Sequence, residues 1–153
     1  MAHTHPLILR LQLTSTFVML DTLQMVSDQV CKEVGLDEDS IHWVGVAVRE
    51  SVANAIKHGN QSDVSKWVFV EFGATFDGVP ALSITVRDQG AGFDPDEVAD
   101  PLAPENLLKG SGRGIFLIRS FMDEVVLRRA AEGGMEIRMV KRAQPSGTSD
   151  SAA

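Results

Sequence analysis

The sequence predicts an α/β (α+β) two-layer sandwich with a mixed, mostly antiparallel sheet and its helices on one face. Three observations carry this expectation. The elements run strand, two helices, two strands, a long loop, a helix and two strands, which is not the alternating order of a doubly wound sheet. Asp77-Gly78 and Glu132-Gly133-Gly134 join strand-like runs as hairpins. The helical segments cluster instead of alternating with strands, so they share one sheet face.

Leu7-Ile-Leu-Arg-Leu-Gln-Leu13 alternates apolar and polar residues in its second half and reads as a strand. From Thr16 to Val34, Phe17, Leu20, Leu23, Val30 and Val34 recur at helical spacing, and Gly35 is the stop. Asp37 or Asp39 caps a second helix that runs to about His58 and closes on Gly59. On it Ile41, Val44, Val48, Val52, Ala55 and Ile56 share one side, and at about 100° per residue Glu50, Asn54 and Lys57 point the other way. Lys66–Phe72 and Pro80–Arg87 are strands. Asp94 to Gly112 holds three prolines and five acidic residues without a period, and a stretch of that length is usually functional or mobile. Ile115–Met122 resumes as a short apolar helix, and Glu124–Arg129 with Met135–Lys141 forms the last hairpin. The chain is expected to be one domain over residues 1–143, with a lid at about 93–112 and a disordered polar tail at 144–153.

Composition narrows the function. The net charge is −7, from 14 basic and 21 acidic residues among 153, which argues against a nucleic-acid surface. A nucleotide is still allowed, because one phosphate chain needs only a few local donors. No apolar run reaches the length of about 18 residues that spans a membrane, and the N-terminus lacks a basic region followed by an apolar stretch. The single Cys31 reads as a small apolar filler. Together these predict a cytoplasmic protein with no membrane contact.

Three segments carry chemistry. Glu50 and Asn54 stand four residues apart on one helix face. An amide oxygen suits Mg²⁺, and a neighbouring carboxylate suits a general base; a loop-capping polar pair is the alternative. In Val86-Arg-Asp88-Gln-Gly90-Ala-Gly92 a strand runs into an aspartate and two alternate glycines. The carboxylate can accept from an adenine amino group, while a plain strand-exit turn is the alternative. In Lys109-Gly110-Ser111-Gly112-Arg113-Gly114 glycines and basic residues open onto a helix, either as an anion site or as a hinge. It is neither a dinucleotide fingerprint nor a Walker loop. The order carboxylate/amide helix, adenine-type loop, lid, phosphate-type loop joins the three into one ATP site.

In that order the segments resemble the ATP-binding domain shared by type II topoisomerases, heat-shock chaperones, histidine kinases and mismatch-repair ATPases, the GHKL or Bergerat fold. Glu50–Asn60 is similar to its N box, Asp88–Gly92 to its G1 box and Gly110–Gly114 to its G2 box. The resemblance is nearest to the anti-sigma-factor serine/threonine kinases of bacterial sporulation and stress control. It rests on Val48-Arg-Glu-Ser-Val-Ala-Asn-Ala-Ile-Lys-His-Gly-Asn60, Val86-Arg-Asp-Gln-Gly-Ala-Gly-Phe-Asp-Pro95 and Ser111-Gly-Arg-Gly-Ile-Phe-Leu-Ile-Arg-Ser-Phe-Met-Asp-Glu-Val125, and it covers roughly residues 7 to 142.

The resemblance implies that Asn54 ligands Mg²⁺ and that Glu50 is the base acting on a partner serine or threonine. It implies that Asp88 contacts adenine and that Gly90 and Gly92 shape the base pocket. Gly110, Ser111, Gly112, Arg113 and Gly114 would wrap the phosphates, with Lys57 reaching toward them. His58 reads as the end of the helix. Met135 departs from the family, which often places a hydroxyl residue near that position to hold the adenine. The function implied is an anti-sigma factor that phosphorylates an anti-anti-sigma (STAS-type) partner with ATP and Mg²⁺ and sequesters a sigma factor; a homodimer is the assembly the resemblance allows. A non-catalytic nucleotide-sensing switch is the main alternative. A histidine-kinase catalytic domain fits less well, because no phosphoacceptor helix pair is evident.

Overall fold

The computed structural model describes residues 6–92 and 118–144. Five strands form one sheet in the order β1-β2-β3-β5-β4. They are β1 Leu7–Thr14, β2 Trp67–Thr75, β3 Ala81–Arg87, β4 Glu124–Arg129 and β5 Met135–Arg142. All four pairings among them are antiparallel. Two helices, α1 Leu20–Val34 and α2 Glu38–Asn54, connect β1 to β2 and cover one face.

Strand alternation sets which face is covered. Val68, Val70, Phe72 and Ala74 of β2 are buried, as are Leu82, Ile84 and Val86 of β3. Ile137 and Met139 of β5 continue that face, and Val44, Val48 and Val52 of α2 close the layer from above. A period of two on the strands and roughly 3.6 on the helix thus meet in one core. The opposite face carries charges: Arg10 pairs with Glu71 at 2.6 Å, and Arg128 pairs with Glu136. Arg87 lies 4.1 Å over the Phe69 ring.

Helix α1 begins at Leu20, four residues after the expected start at Thr16. The intervening residues turn the chain out of β1. Thr16 N–H donates to the Thr14 carbonyl at 2.8 Å, and the Ser15 hydroxyl donates to the Lys66 carbonyl at 2.8 Å. Phe17, expected on the helix's apolar face, is therefore 50% exposed and Val18 81% exposed. Helix α1 ends as expected on Gly35, at φ +91°, where a left-handed residue is needed.

Of the two candidate caps for α2, Asp37 serves: its Oδ1 accepts from Ser40 N at 2.8 Å. That bonding to Ser40 holds the Asp37 carboxyl below its ordinary range. Gly45, Ala47 and Ser51 are buried along with the valines, because α2 packs on the sheet and on α1 at once. The segment does close at Gly59, but its last turn, Ala55–Gly59, is a π turn and not α-helix. Asn60 N–H reaches back five residues to the Ala55 carbonyl at 2.8 Å. Just beyond the turn, the Asn60 side chain bonds to Ser15 Oγ, the Trp67 carbonyl and Gln89 N. Such single π turns are frequent at functional sites.

The predicted lid, the phosphate-type loop and residues 145–153 lie outside the described residues. Of the short helix expected at 115–122, residues 118–121 are described and are helical. Among the described residues no helix is long and apolar enough to cross a membrane.

Candidate functional site

A cavity of about 330 Å³ opens between the C-terminal end of α2 with its π turn and the ends of β3, β4 and β5. Val86, Leu127 and Ile137 give it an apolar wall, suited to the flat face of a ring. Asn54, His58 and Asp88 supply polar groups at its margins. Asn54 is the last residue of α2 and projects from its final turn.

Asp88 follows directly on β3 and is only 6% exposed. A buried carboxylate needs donors. Its Oδ1 accepts from Gly90 N at 2.9 Å and from Met135 N at 3.1 Å. Its own N–H donates to the Met135 carbonyl at 3.0 Å. The main chain therefore grips Asp88 from two sides, and the carboxyl group also forms part of the cavity wall. An acceptor fixed in an apolar wall can select a ring that carries an exocyclic amino group.

Glycines make this grip possible. A Cβ on Gly59 would collide with the Asp88 carboxylate, one on Gly90 with the Gly59 carbonyl, and one on Gly134 with the Asp88 carbonyl. Gly92 adopts φ +72°, and a Cβ there would meet the Gly133 carbonyl at 2.5 Å. Gly90 and Gly92 were expected to shape the pocket. Gly59 and Gly134 are additions: the sequence marked them only as a helix stop and a hairpin turn. The β4–β5 turn that carries Gly134 is tied down by Glu132, 3.4 Å from Arg87.

Other expected site residues fall at different distances from the cavity. Glu50 is half-buried one turn before Asn54 and is not part of the wall. Lys57 is exposed and also outside the wall, whereas His58, read only as a helix end, lines it. Met135 does line the cavity, so a thioether stands where the resemblance expected a hydroxyl, and its contribution to Asp88 comes from main-chain groups. Gly110, Ser111, Gly112, Arg113 and Gly114 lie outside the described residues.

An antiparallel sheet covered on one face by helices, with a carboxylate-bearing ring pocket beside a helix that ends in an asparagine, defines an ATP-binding domain of the Bergerat type. The chain belongs to the histidine kinase-like ATPase domain family, whose model matches residues 13–141. It is 31% identical over 139 residues to the serine-protein kinase RsbW of Staphylococcus epidermidis, covering 87% of this chain and 84% of that protein. It is 35% identical over 114 residues to the anti-sigma F factor of Oceanobacillus iheyensis, covering 72% of this chain and 75% of that one. Among solved structures, the RsbU and RsbW domains of a Mycobacterium tuberculosis protein superpose with a TM-score of 0.61 at 21% identity. That match covers 94% of this chain and about a third (34%) of the other. At that identity the likeness supports the fold.

Proposed function

We propose that the chain is an ATP-dependent serine/threonine protein kinase that acts as an anti-sigma factor. In one state it holds a sigma factor. In the other it binds a small anti-anti-sigma partner of STAS type and phosphorylates it. The observation that carries the catalytic half is the placement of Glu50: half-buried, one helical turn from the cavity-lining Asn54, and outside the cavity wall. A carboxylate there can meet a hydroxyl brought by a second protein while the nucleotide occupies the cavity. Glu50 accepts the proton of the partner's serine or threonine as its oxygen bonds to the γ-phosphorus of ATP. The bond to the β–γ bridging oxygen breaks, and ADP leaves. The product carries about −1.5 to −2 additional charge near neutral pH, enough to dissolve an apolar or acidic interface.

Mg²⁺ fits the donors present. Asn54 offers a hard amide oxygen, and among the described residues no group of three or more His, Cys, Asp or Glu stands together. An ion that keeps most of its waters and takes few protein ligands suits such a site. When bound it neutralises charge on the phosphates. A homodimer belongs to the same reading. It is favoured by β1, an edge strand on which Ile8 is 61% and Leu9 39% exposed, while Leu7, Leu11 and Leu13 pack against the core.

The test is incubation with radiolabelled ATP·Mg²⁺ and a cognate anti-anti-sigma protein. Glu50→Gln is expected to abolish phosphoprotein while leaving ADP affinity within about twofold. ADP binding by the native chain with no phosphoprotein formed would instead favour a non-catalytic, nucleotide-sensing switch. Equal transfer by Glu50→Gln would remove Glu50 from the base role.

A further inference from the structure

We infer that Asn60 is a positioning residue for the base-reading loop: it anchors Gln89 and so fixes the direction in which the Asp88 carboxylate meets a base. The inference rests on the reading, implied by the family resemblance, that Asp88 contacts adenine. Asn60 is completely buried, at 0% exposure. Its Oδ1 accepts from Gln89 N at 2.7 Å, and its Nδ2 donates to Ser15 Oγ and to the Trp67 carbonyl, both at 2.9 Å. One side chain thus ties the exit of β3 to the end of β1 and the start of β2. A second strut runs alongside, with Trp67 N donating to Gln89 Oε1 at 2.7 Å.

The loop needs such an anchor. Gln89 stands between Asp88 and Gly90, and Gly92 follows; glycine has the least intrinsic stiffness of any residue. Asp88 Oδ1 is held from the β5 side by Met135 N. On the other side of the carboxylate's cradle, Gly90 N is positioned through Gln89, while beyond it the loop is held by packing on Gly59 and by Arg129 Nη2 donating to the Ala91 carbonyl at 3.4 Å.

The π turn explains how Asn60 gets there. Successive α-helical residues are rotated by about 100°. One residue fewer in the Ala55–Gly59 turn would swing position 60 by that angle, away from Gln89 and from the β1 and β2 ends. The widened turn delivers the amide to three segments at once. Only a carboxamide fits all three, because the Trp67 carbonyl needs a donor and Gln89 N an acceptor on the same short side chain.

The experiment measures ADP and GDP affinity by calorimetry on the full chain. Guanine presents an oxygen where adenine presents its amino group, so the ADP:GDP ratio reports the aim of Asp88. Asn60→Ala is expected to reduce that ratio at least tenfold. Ser15→Ala removes one Nδ2 partner but leaves the Gln89 bond. It is expected to lower the melting temperature yet keep the ratio within about twofold. A purely structural asparagine would lower both melting temperatures and leave both ratios alone, and that result overturns the inference.

Asn60→Asp keeps the acceptor for Gln89 N but sets a carboxylate oxygen against the Trp67 carbonyl; it is expected to lower the melting temperature and still preserve most of the ratio, with the Gln89 amide protected from hydrogen exchange. If Asn60→Ala does not fold, this variant decides: free exchange at Gln89 with an unchanged ratio overturns the inference. Asp88→Asn separates the two levels. Should it keep the native ratio, the adenine assignment fails. Should it lose the ratio while Asn60→Ala keeps it, only the role of Asn60 fails.

Discussion

Replacing Gly90 by alanine probes how closely the nucleotide loop and the π turn are packed. The new Cβ would meet the Gly59 carbonyl, which is main chain and has no rotamer to escape into. One of the two segments must therefore move. Overpacking of this kind costs about 1–3 kcal/mol of stability. The larger effect falls on binding, because Gly90 N is one of the two donors to Asp88 Oδ1. A misplacement on the order of 1 Å can cost a catalytic constellation roughly 10²-fold, and the loss of ADP affinity should be of that order. Gly78→Ala is the matched control. Gly78 lies in the β2–β3 turn at φ +82° with nothing within 4 Å of a Cβ, so alanine there pays only the left-handed backbone penalty of about 1–2 kcal/mol. Calorimetric titration with ADP, at a temperature where all three proteins are folded, should show native affinity for Gly78→Ala and a loss of about 100-fold for Gly90→Ala. Equal affinities for the two variants, or ADP binding by Gly90→Ala within twofold of native, would refute the packing argument.

Cys31 is buried, and burial pushes its thiol up from 9.0 to about 12. The folded state therefore holds the thiol proton more tightly than the unfolded chain, so this contribution to stability is complete below pH 9.0 and is lost as pH rises toward 12. Native protein should resist iodoacetamide at about pH 8 and label fully in denaturant, and its urea midpoint should fall between about pH 9 and 11. Gly45→Ala should stabilise, because its Cβ would come 3.3 Å from Gln24 Nε2, the end of a side chain that can shift. The gain in helix propensity is about 0.8–1 kcal/mol, or about 2–4 °C in Tm by scanning calorimetry. A lower Tm would mean that Gln24 is held in place by Arg49, whose Nη1 donates to it at 3.2 Å.

The strands and the long helices were legible because their apolar residues repeat at two clear periods, and Gly35, Asp37 and the two hairpin turns punctuate them. The start of α1 was not, because Phe17 continues the helical pattern by spacing alone. What stops the helix from beginning there is the anchoring of Ser15 to Lys66, a contact across 51 positions. At the site, Asp88, Gly90, Gly92 and Asn54 stood out because charged, amide and glycine residues interrupt apolar segments. Asn60 was in view, as the last residue of the first motif, yet carried no signal of its role. Its three partners come from three different segments of the chain. Gly134 was hidden by its ordinary place in a hairpin turn, since a close approach to Asp88 leaves no mark on local sequence. The π turn was invisible for a related reason: hydrophobic periodicity over five residues cannot distinguish it from a last turn of α-helix.

The glycines around Asp88 have a consequence for resistance to inhibitors. A compound that binds only the carboxylate and the surrounding main chain would touch almost no side chain that a single mutation could alter harmlessly. At Gly59, Gly90 and Gly134 any larger residue collides first with the protein's own Asp88 or Gly59, before it reaches the compound. Escape by enlarging these walls would therefore disturb Asp88 itself together with inhibitor binding. Substitution at His58 or Met135, which line the same cavity with side chains, leaves that grip intact. Compounds that avoid those two residues should be the slower to lose their effect.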